Sequence, residues 1–265
     1  NYRNHRKIMV VDAKVAYLGG FNIGDEYLGT GELGEWRDTH MKIEGNAVLT
    51  LQSRFFMDWN AVAKEKNRKD YAEAYFPIAD KKGNTAMQIV TSGPDDEDQT
   101  IKMGFLKMIS QAKESIYIQT PYFIPDESLH EMLKIAVLSG VKVKIMIPSK
   151  PDHPFVYRAT EYFAKDIVEY GAEVYMYQNG FLHSKVMVVD DEIVSVGTAN
   201  MDVRSFKLNF EINAFIYDRD VAEELIANFD EDQKNCIRAT HDYFAKQSKW
   251  RKFKQAFSRL LSPIL

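Results

Sequence analysis

The sequence has a single cysteine, Cys236, among 265 residues. No internal disulfide can form and no Cys/His group has zinc spacing, which fits a reducing compartment. No metal or other cofactor is expected. There is no run of about 18 apolar residues to cross a bilayer and no short apolar core of an export signal at the start, so neither device is legible. Positive charge is not in excess either: 34 Lys and Arg stand against 38 Asp and Glu, a formal net charge of -4. Nothing global attracts polyanions, and no nucleic-acid partner is expected. Apolar residues are plentiful at 45%, enough for one large domain or two modest ones.

The chain contains one octet twice. His5-Arg6-Lys7-Ile8-Met9-Val10-Val11-Asp12 returns as His183-Ser184-Lys185-Val186-Met187-Val188-Val189-Asp190, an offset of 183 − 5 = 178. The same offset carries Gly19 onto Gly197 and Asn22 onto Asn200. One H-x-K-x4-D is easily incidental; two with collinear glycine and asparagine point to two half-sites that build one centre.

Residues 5–12 read as a strand, its four apolar residues of the kind buried on both faces, and 15–18 as the next, with a turn at Asp12 to Lys14. Gly19-Gly20 then breaks the strand and presents Asn22. After a glycine-rich loop comes a strand at 36–43. Asn46 is placed to cap a helix whose Val48, Leu51, Phe55, Trp59 and Val62 should face the sheet. A charged stretch at 64–70 and a turn or linker at 80–84 put a boundary near 83, dividing the chain into 1–83 and 84–265. Beyond it, strands at 87–91, 115–119, 141–147 and 173–177 alternate with helices at 98–113, 128–139 and 155–170, which implies a largely parallel sheet covered on both faces. His183 follows on the next strand. The second copy continues with a strand at 193–196, a turn at 197–200, a strand at 209–217, a helix at 220–235 and a helical pattern over 241–261. The fold class is α/β: two similar α/β/α sandwiches of mixed sheet and helices, related by a pseudo-twofold axis. Residues 84–182 precede His183 within its half but only residues 1–4 precede His5, so the first half is expected to be truncated at its N-terminus.

On a strand, residues i and i+2 share a face, so His5 pairs with Lys7 and His183 with Lys185. Imidazole beside ammonium is a phosphate site. Two such pairs meeting in one cleft, with Asn22 and Asn200 from the turns, suit a phosphodiester: one neutral imidazole attacks phosphorus, the other protonates the leaving oxygen, and lysines and amides bear the charge on the remaining oxygens. Asp12 and Asp190 complete the motif and count among its residues. Seven positions past their histidines, they fall on the opposite strand face and read as turn and structural residues.

These residues resemble the phospholipase D superfamily, whose mark is a duplicated H-x-K-x4-D with a Gly/Asn element. The resemblance implies that each histidine is held by an acidic residue on a later strand. By it, Asp38 in Trp36-Arg37-Asp38 orients His5, and Glu211 in Asn209-Phe210-Glu211 orients His183; read alone, each is as readily an ordinary surface carboxylate as a histidine partner. It also implies that His5 is the nucleophile and His183 the acid/base. The likeness sharpens toward the bacterial cardiolipin synthase family and covers essentially the whole chain. It is carried by Asn4-His5-Arg6-Lys7, Gly19-Gly20-Phe21-Asn22-Ile23-Gly24-Asp25-Glu26-Tyr27, Thr120-Pro121-Tyr122-Phe123-Ile124-Pro125, Gly197-Thr198-Ala199-Asn200-Met201-Asp202-Val203-Arg204-Ser205, and Ser262-Pro263-Ile264-Leu265 as a C-terminus. Implied with it are phosphatidyl transfer between two phosphatidylglycerols through a phosphohistidine, the anionic membrane surface as partner, and a place on the cytoplasmic side of the cell membrane. The family's membrane-spanning helices fall before the point where this chain begins. The rivals are a phospholipase D hydrolase, a nuclease, and an inactive membrane-binding module.

Other residues invite plainer readings. His40 reads as a packed polar side chain, and His130, His153 and His241 as surface or helix residues. Tyr122-Phe123-Ile124-Pro125 either lines a lipid entrance or packs in the core; Arg204 and Ser205 either contact phosphate or brace a loop. Near the C-terminus Lys246, Lys249, Arg251, Lys252, Lys254 and Arg259 interleave with Phe244, Trp250, Phe253 and Phe257. A basic aromatic helix can lie on an anionic bilayer; ordinary packing with a solvated basic face is the plainer account.

Overall fold

A computed structural model describes residues 2–78 and 81–262. Asp80 of the expected linker turn, and Pro263, Ile264 and Leu265 of the expected C-terminal signature, lie outside the described residues. The second octet sits at the centre of a nine-stranded sheet. Val186–Val189 runs antiparallel between Ser115–Gln119 and Ile193–Gly197. On one side the sheet continues in parallel through Lys142–Pro148 and Glu173–Tyr177. On the other, Asn209–Tyr217 pairs antiparallel with Ile193–Gly197 and Ala86–Ser92. The sheet is therefore mixed rather than largely parallel: a three-residue turn reverses the chain between Val186–Val189 and Ile193–Gly197, and Ser115–Gln119 and Asn209–Tyr217 flank them antiparallel after longer connections. Cys236–Arg238, too short to show a period in the sequence, closes the far side as an edge strand antiparallel to Glu173–Tyr177.

Alternation across the central strand decides what lies on each face. Met187 and Val189 join a core with Phe105, Ile118, Leu133, Ile145 and Phe163, drawn largely from helices Thr100–Gln111, Glu127–Leu138 and Pro154–Glu169. Val186 and Val188 join a second core with Val194, Val196, Ile212 and Ala214, and against these lie Ala16, Leu18, Ile43, Val48 and Leu51. Those last five belong to the first copy: a three-stranded antiparallel sheet of Ile8–Val11, Val15–Gly19 and His40–Glu44, with helix Ala47–Val62. The two copies thus share one apolar interface.

Two details of the first copy differ from expectation. Ile8–Val11 is not buried on both faces; Met9 and Val11 point outward, at 58% and 40% exposure. In helix Ala47–Val62 the buried residues are Val48, Leu51 and Phe56, while Phe55, Trp59 and Val62 are exposed. Its apolar residues are spread around the helix, and contact with the small sheet selected its N-terminal part. Asn46 holds the cap position but caps through its main-chain oxygen, which accepts from Leu49 N–H at 3.1 Å.

Candidate active site

Neither H-x-K lies inside a strand. His5-Arg6-Lys7 links the short strand Arg3–Asn4 to Ile8–Val11, and His183-Ser184-Lys185 links Phe181–Leu182 to Val186–Val189. The short strands attach to the other copy. Arg3–Asn4 pairs in parallel with Asn209 and Phe210, and Phe181–Leu182 with Trp36–Arg37. The pairing runs on into the histidines themselves, since His5 N–H donates to Phe210 O at 2.9 Å and His183 N–H to Arg37 O at 2.8 Å.

That main-chain exchange corrects the expected partners. The carboxylates are crossed: His5 Nδ1 lies 2.9 Å from both Glu211 oxygens, and His183 Nδ1 lies 2.7 Å from Asp38 Oδ2. Each acid follows immediately on the main-chain segment that the opposite histidine pairs with, so it reaches that histidine and not the one from its own copy. With Nδ1 engaged, Nε2 is the ring nitrogen left to a substrate in both cases.

Each lysine folds back on its own histidine: Lys7 Nζ donates to His5 O at 2.7 Å, and Lys185 Nζ to His183 O. Burial depresses both ammonium groups, Lys7 to about 8 and Lys185 to about 7, against the opposing pull of Glu211 and Asp38. Burial and the Lys185 charge push His183 down to about 3 although Asp38 supports its charged form. Asp38 is itself driven upward by burial, but the His183 hydrogen bond and the Lys185 charge outweigh this and hold it below the usual carboxylate range. In the free site His183 is a neutral imidazole beside an ionised carboxylate, and Lys7, Lys185, Asp38 and Glu211 feel one another's charge.

The glycines of the repeat are places where backbones meet. A Cβ at Gly19 would stand 2.4 Å from Thr39 O, and one at Gly197 would stand 2.4 Å from Ile212 O. One residue on, the copies diverge. Gly20 leaves room for the Asp38 carboxylate, whereas its counterpart Thr198 donates its hydroxyl to Glu211 Oε2 at 2.5 Å. Asn200 is buried; its Nδ2 reaches Asp202 Oδ2 at 3.4 Å, its main-chain N–H donates to Ser205 Oγ at 3.2 Å, and its Oδ1 has no partner among the described residues. Asn22 is only half-buried, and among the described residues no hydrogen bond of its side chain ties it to the cluster. The two asparagines are therefore not equivalent.

Asp12 and Asp190 stand apart from this centre. Asp190 accepts from the N–H groups of Lys113, Glu114 and Ser115 at 2.7, 2.8 and 2.9 Å, pinning a turn at the far end of its strand. Asp12 is exposed in a turn at φ 53°. Their place in the motif is structural, and they leave the reacting set.

Sequence reasoning missed three polar residues that hold the acids. Tyr27 donates to Asp38 Oδ2 at 2.7 Å with its oxygen 2.9 Å from His183 Nδ1, and burial beside Asp38 raises its pKa, so it stays a donor. Thr198 and Asn209 both donate to Glu211, Asn209 at 3.2 Å. Thr198 was findable as the departure from Gly20 in the aligned repeat; Tyr27, on the single helical turn Asp25–Leu28, closed a stretch that carried the resemblance, but nothing in its spacing marked a role. The Trp36 ring centroid lies 4.9 Å from that of His183, an apolar wall on the imidazole.

Phe123 and Ile124 are core residues, and Ser205 braces the turn at Asn200. His40 is exposed and accepts from Phe21 N–H at 3.3 Å. His130 is on a helix but buried, its Nε2 at 2.7 Å from Asp166. His153 and His241 are exposed at helix starts.

Two histidine–carboxylate pairs with two lysines are set where a mixed sheet meets its own repeat, the arrangement that the phospholipase D resemblance implies. The fold agrees. It superposes on phosphatidylserine synthase of Haemophilus influenzae with a TM-score of 0.72 at 18% identity, covering 99% of this chain and 71% of that one. It also superposes on the phospholipase D family member Nuc of Salmonella typhimurium with a TM-score of 0.51 at 21% identity, covering 59% and 99%. The chain matches, over residues 105–233, the family model described as cardiolipin synthase, PLD-like domain. It is 58% identical to the cardiolipin synthase of Listeria welshimeri and 55% identical to the major cardiolipin synthase ClsA of Bacillus subtilis, each over 100% of this chain and 55% of the relative. The chain spans about half the length of the curated relatives it matches.

Proposed function

We propose that this chain carries a phosphatidyltransferase centre that joins two phosphatidylglycerols into cardiolipin and glycerol. The observation that carries the reading is the crossed pair of histidines, each held at Nδ1 by a carboxylate, around the buried Lys185 and the half-buried Lys7. His5 Nε2 attacks the phosphorus, the bond from phosphorus to the departing glycerol oxygen breaks, and His183 supplies that oxygen with a proton. His183 is neutral in the free site; the phosphodiester's negative charge beside it favours the proton it must then give. The phosphatidyl group stays on His5. His183, neutral again, takes the proton from a glycerol hydroxyl of the second lipid, whose oxygen attacks phosphorus and breaks the P–N bond. Lys7, Lys185 and Asn200 bear the charge on the non-bridging oxygens. Asp38, Glu211, Tyr27 and Thr198 fix tautomers and ring positions.

Residues 1–83 are then the closing part of one catalytic half and 84–265 the other, acting at the cytoplasmic face of an anionic membrane. Among the described residues no helix is long and apolar enough to cross a bilayer. The test is incubation with phosphatidylglycerol micelles in EDTA, with products identified by mass spectrometry. Cardiolipin with equimolar glycerol is expected. Phosphatidic acid alone would make the centre a hydrolase, cleavage of DNA in place of lipid would make it a nuclease, and binding of lipid without turnover would make it a membrane-binding module.

A further inference from the structure

The helical pattern at 241–261 resolves into two helices, His241–Ala245 and Lys249–Leu260, the second capped by Ser248 Oγ, which accepts from Arg251 N–H at 3.2 Å. Lys249–Leu260 is mounted the wrong way round for a helix of a water-soluble surface. Its buried residues are polar: Gln255 and Ser258. Gln255 donates to Glu161 Oε2 at 3.2 Å, and the Arg251 guanidinium closes on Glu161 Oε1 from the same side. Glu161 is fully buried in helix Pro154–Glu169 and also accepts from Arg158 at 2.5 Å, so Gln255 and Arg251 complete the partners of a buried carboxylate. The apolar residues face outward instead. Trp250, Phe253, Phe257 and Leu260 are 63%, 59%, 47% and 72% exposed. They form a continuous row: Trp250 stacks on Phe253 at 5.4 Å between centroids, and Phe253 on Phe257 at 6.5 Å.

At about 100° per residue, these four side chains fall within one sector of the helix, with Lys249 on one flank and Lys254 on the other. Lys249 and Lys254 are exposed, Lys254 lying over the Trp250 ring at 5.3 Å, and the helix contains no acidic residue. The plainer expectation, apolar face inward and basic face solvated, is thus reversed by the structure. A protein partner would be met by an apolar centre with mixed charge at its rim; an apolar stripe flanked on both sides by cations alone fits the boundary between acyl chains and anionic headgroups.

We propose that Lys249–Leu260 is an in-plane membrane-docking helix, its Trp250, Phe253, Phe257 and Leu260 row buried in the outer part of a leaflet and Lys249 and Lys254 set among anionic headgroups. The proposal deepens the lipid reading of the active site and rests on it for the nature of the surface. Docking by this row would hold the chain against the surface that contains its substrate, without any spanning segment.

The test is sedimentation of the 265-residue chain with vesicles of phosphatidylcholine alone and of phosphatidylcholine with phosphatidylserine. Phe253→Glu/Phe257→Glu and Lys249→Glu/Lys254→Glu are measured alongside. Because all four side chains are exposed, both variants should melt with the parent. The expected result is binding to the anionic vesicles only, weakened roughly tenfold or more in each variant. His183→Ala should bind as the parent does, which separates docking from catalysis: if the parent binds but makes no cardiolipin, the catalytic reading fails and the docking helix stands. Undiminished binding by Phe253→Glu/Phe257→Glu, equal binding to neutral vesicles, or no binding by the parent would overturn the proposal. So would a variant that changed only the oligomeric state, which would assign the row to a second copy of the chain.

Discussion

Lys185 is 3% exposed and Lys7 is half-buried with its Nζ donating to His5 O, so the site holds two ammonium groups stripped of much of their hydration. Their pKa values, about 7 and about 8, lie well below the lysine range because burial penalises the charged form. A bound phosphate anion would supply the missing counter-charge and raise both. The bound state then holds more protons than the free one, so affinity falls as pH rises through the window from about 7 toward 9. Inorganic phosphate should bind with net proton uptake near pH 8, visible in titration calorimetry as an apparent enthalpy that changes with the buffer's ionisation enthalpy. Identical enthalpies in phosphate-free buffers of very different ionisation enthalpy would mean that the lysines are already charged. The residue scale was half legible: H-x-K named the cations and imidazoles, but not the burial that tunes them.

At the scale of elements, the site depends on short strands that pass between copies. Gly180 opens the strand Phe181–Leu182 at φ 102°, and a Cβ there would stand 2.0 Å from Glu35 O, the oxygen that accepts from Phe181 N–H. Gly180→Ala should therefore combine left-handed backbone strain with a collision at the pairing that carries His183, costing about 2–4 kcal/mol. A thermal melt should fall by many degrees and turnover with it. Gly31, where an added Cβ would meet nothing within 4 Å, is the control: Gly31→Ala should leave the melt almost unchanged. Similar melts for both would show that Gly180 is not needed for the pairing. The long elements were readable from their periods, as at Ser115–Gln119 and Asn209–Tyr217. Two-residue strands such as Trp36–Arg37 and Phe181–Leu182 have no period to read, because they exist only through each other.

For the whole molecule, the crossed arrangement makes each half incomplete without the other. Arg37 reinforces it, donating to Asp232 at 3.0 Å while Gln119 donates to the other oxygen of the same carboxylate at 2.8 Å. Arg6 does the same at the opposite pair, donating to Glu211 O at 3.1 Å and to Asp58 at 2.8 Å. Asp38→Asn should move the ring nitrogen resonances of His183 and leave those of His5 in place; Glu211→Gln should do the reverse. Each should also lower turnover by roughly a hundredfold or more through loss of the tautomer-fixing charge. An uncrossed response in the nuclear magnetic resonance spectrum would restore the pairing expected from the repeat.

The sequence by itself determined that there are two half-sites, which imidazoles and ammonium groups they contribute, and where the main strands and helices run. Those properties reside in spacing, and spacing survives in a linear chain. Only the tertiary structure decided that Asp38 serves His183 and Glu211 serves His5, that Tyr27 joins them, that Asp12 and Asp190 do not, and that the last helix turns its aromatic row outward. The physical reason is that each depends on contacts between segments up to 206 residues apart, as for His5 and Glu211. Such contacts are chosen by which backbone edges and which buried charges must be satisfied together, a condition that no local pattern records.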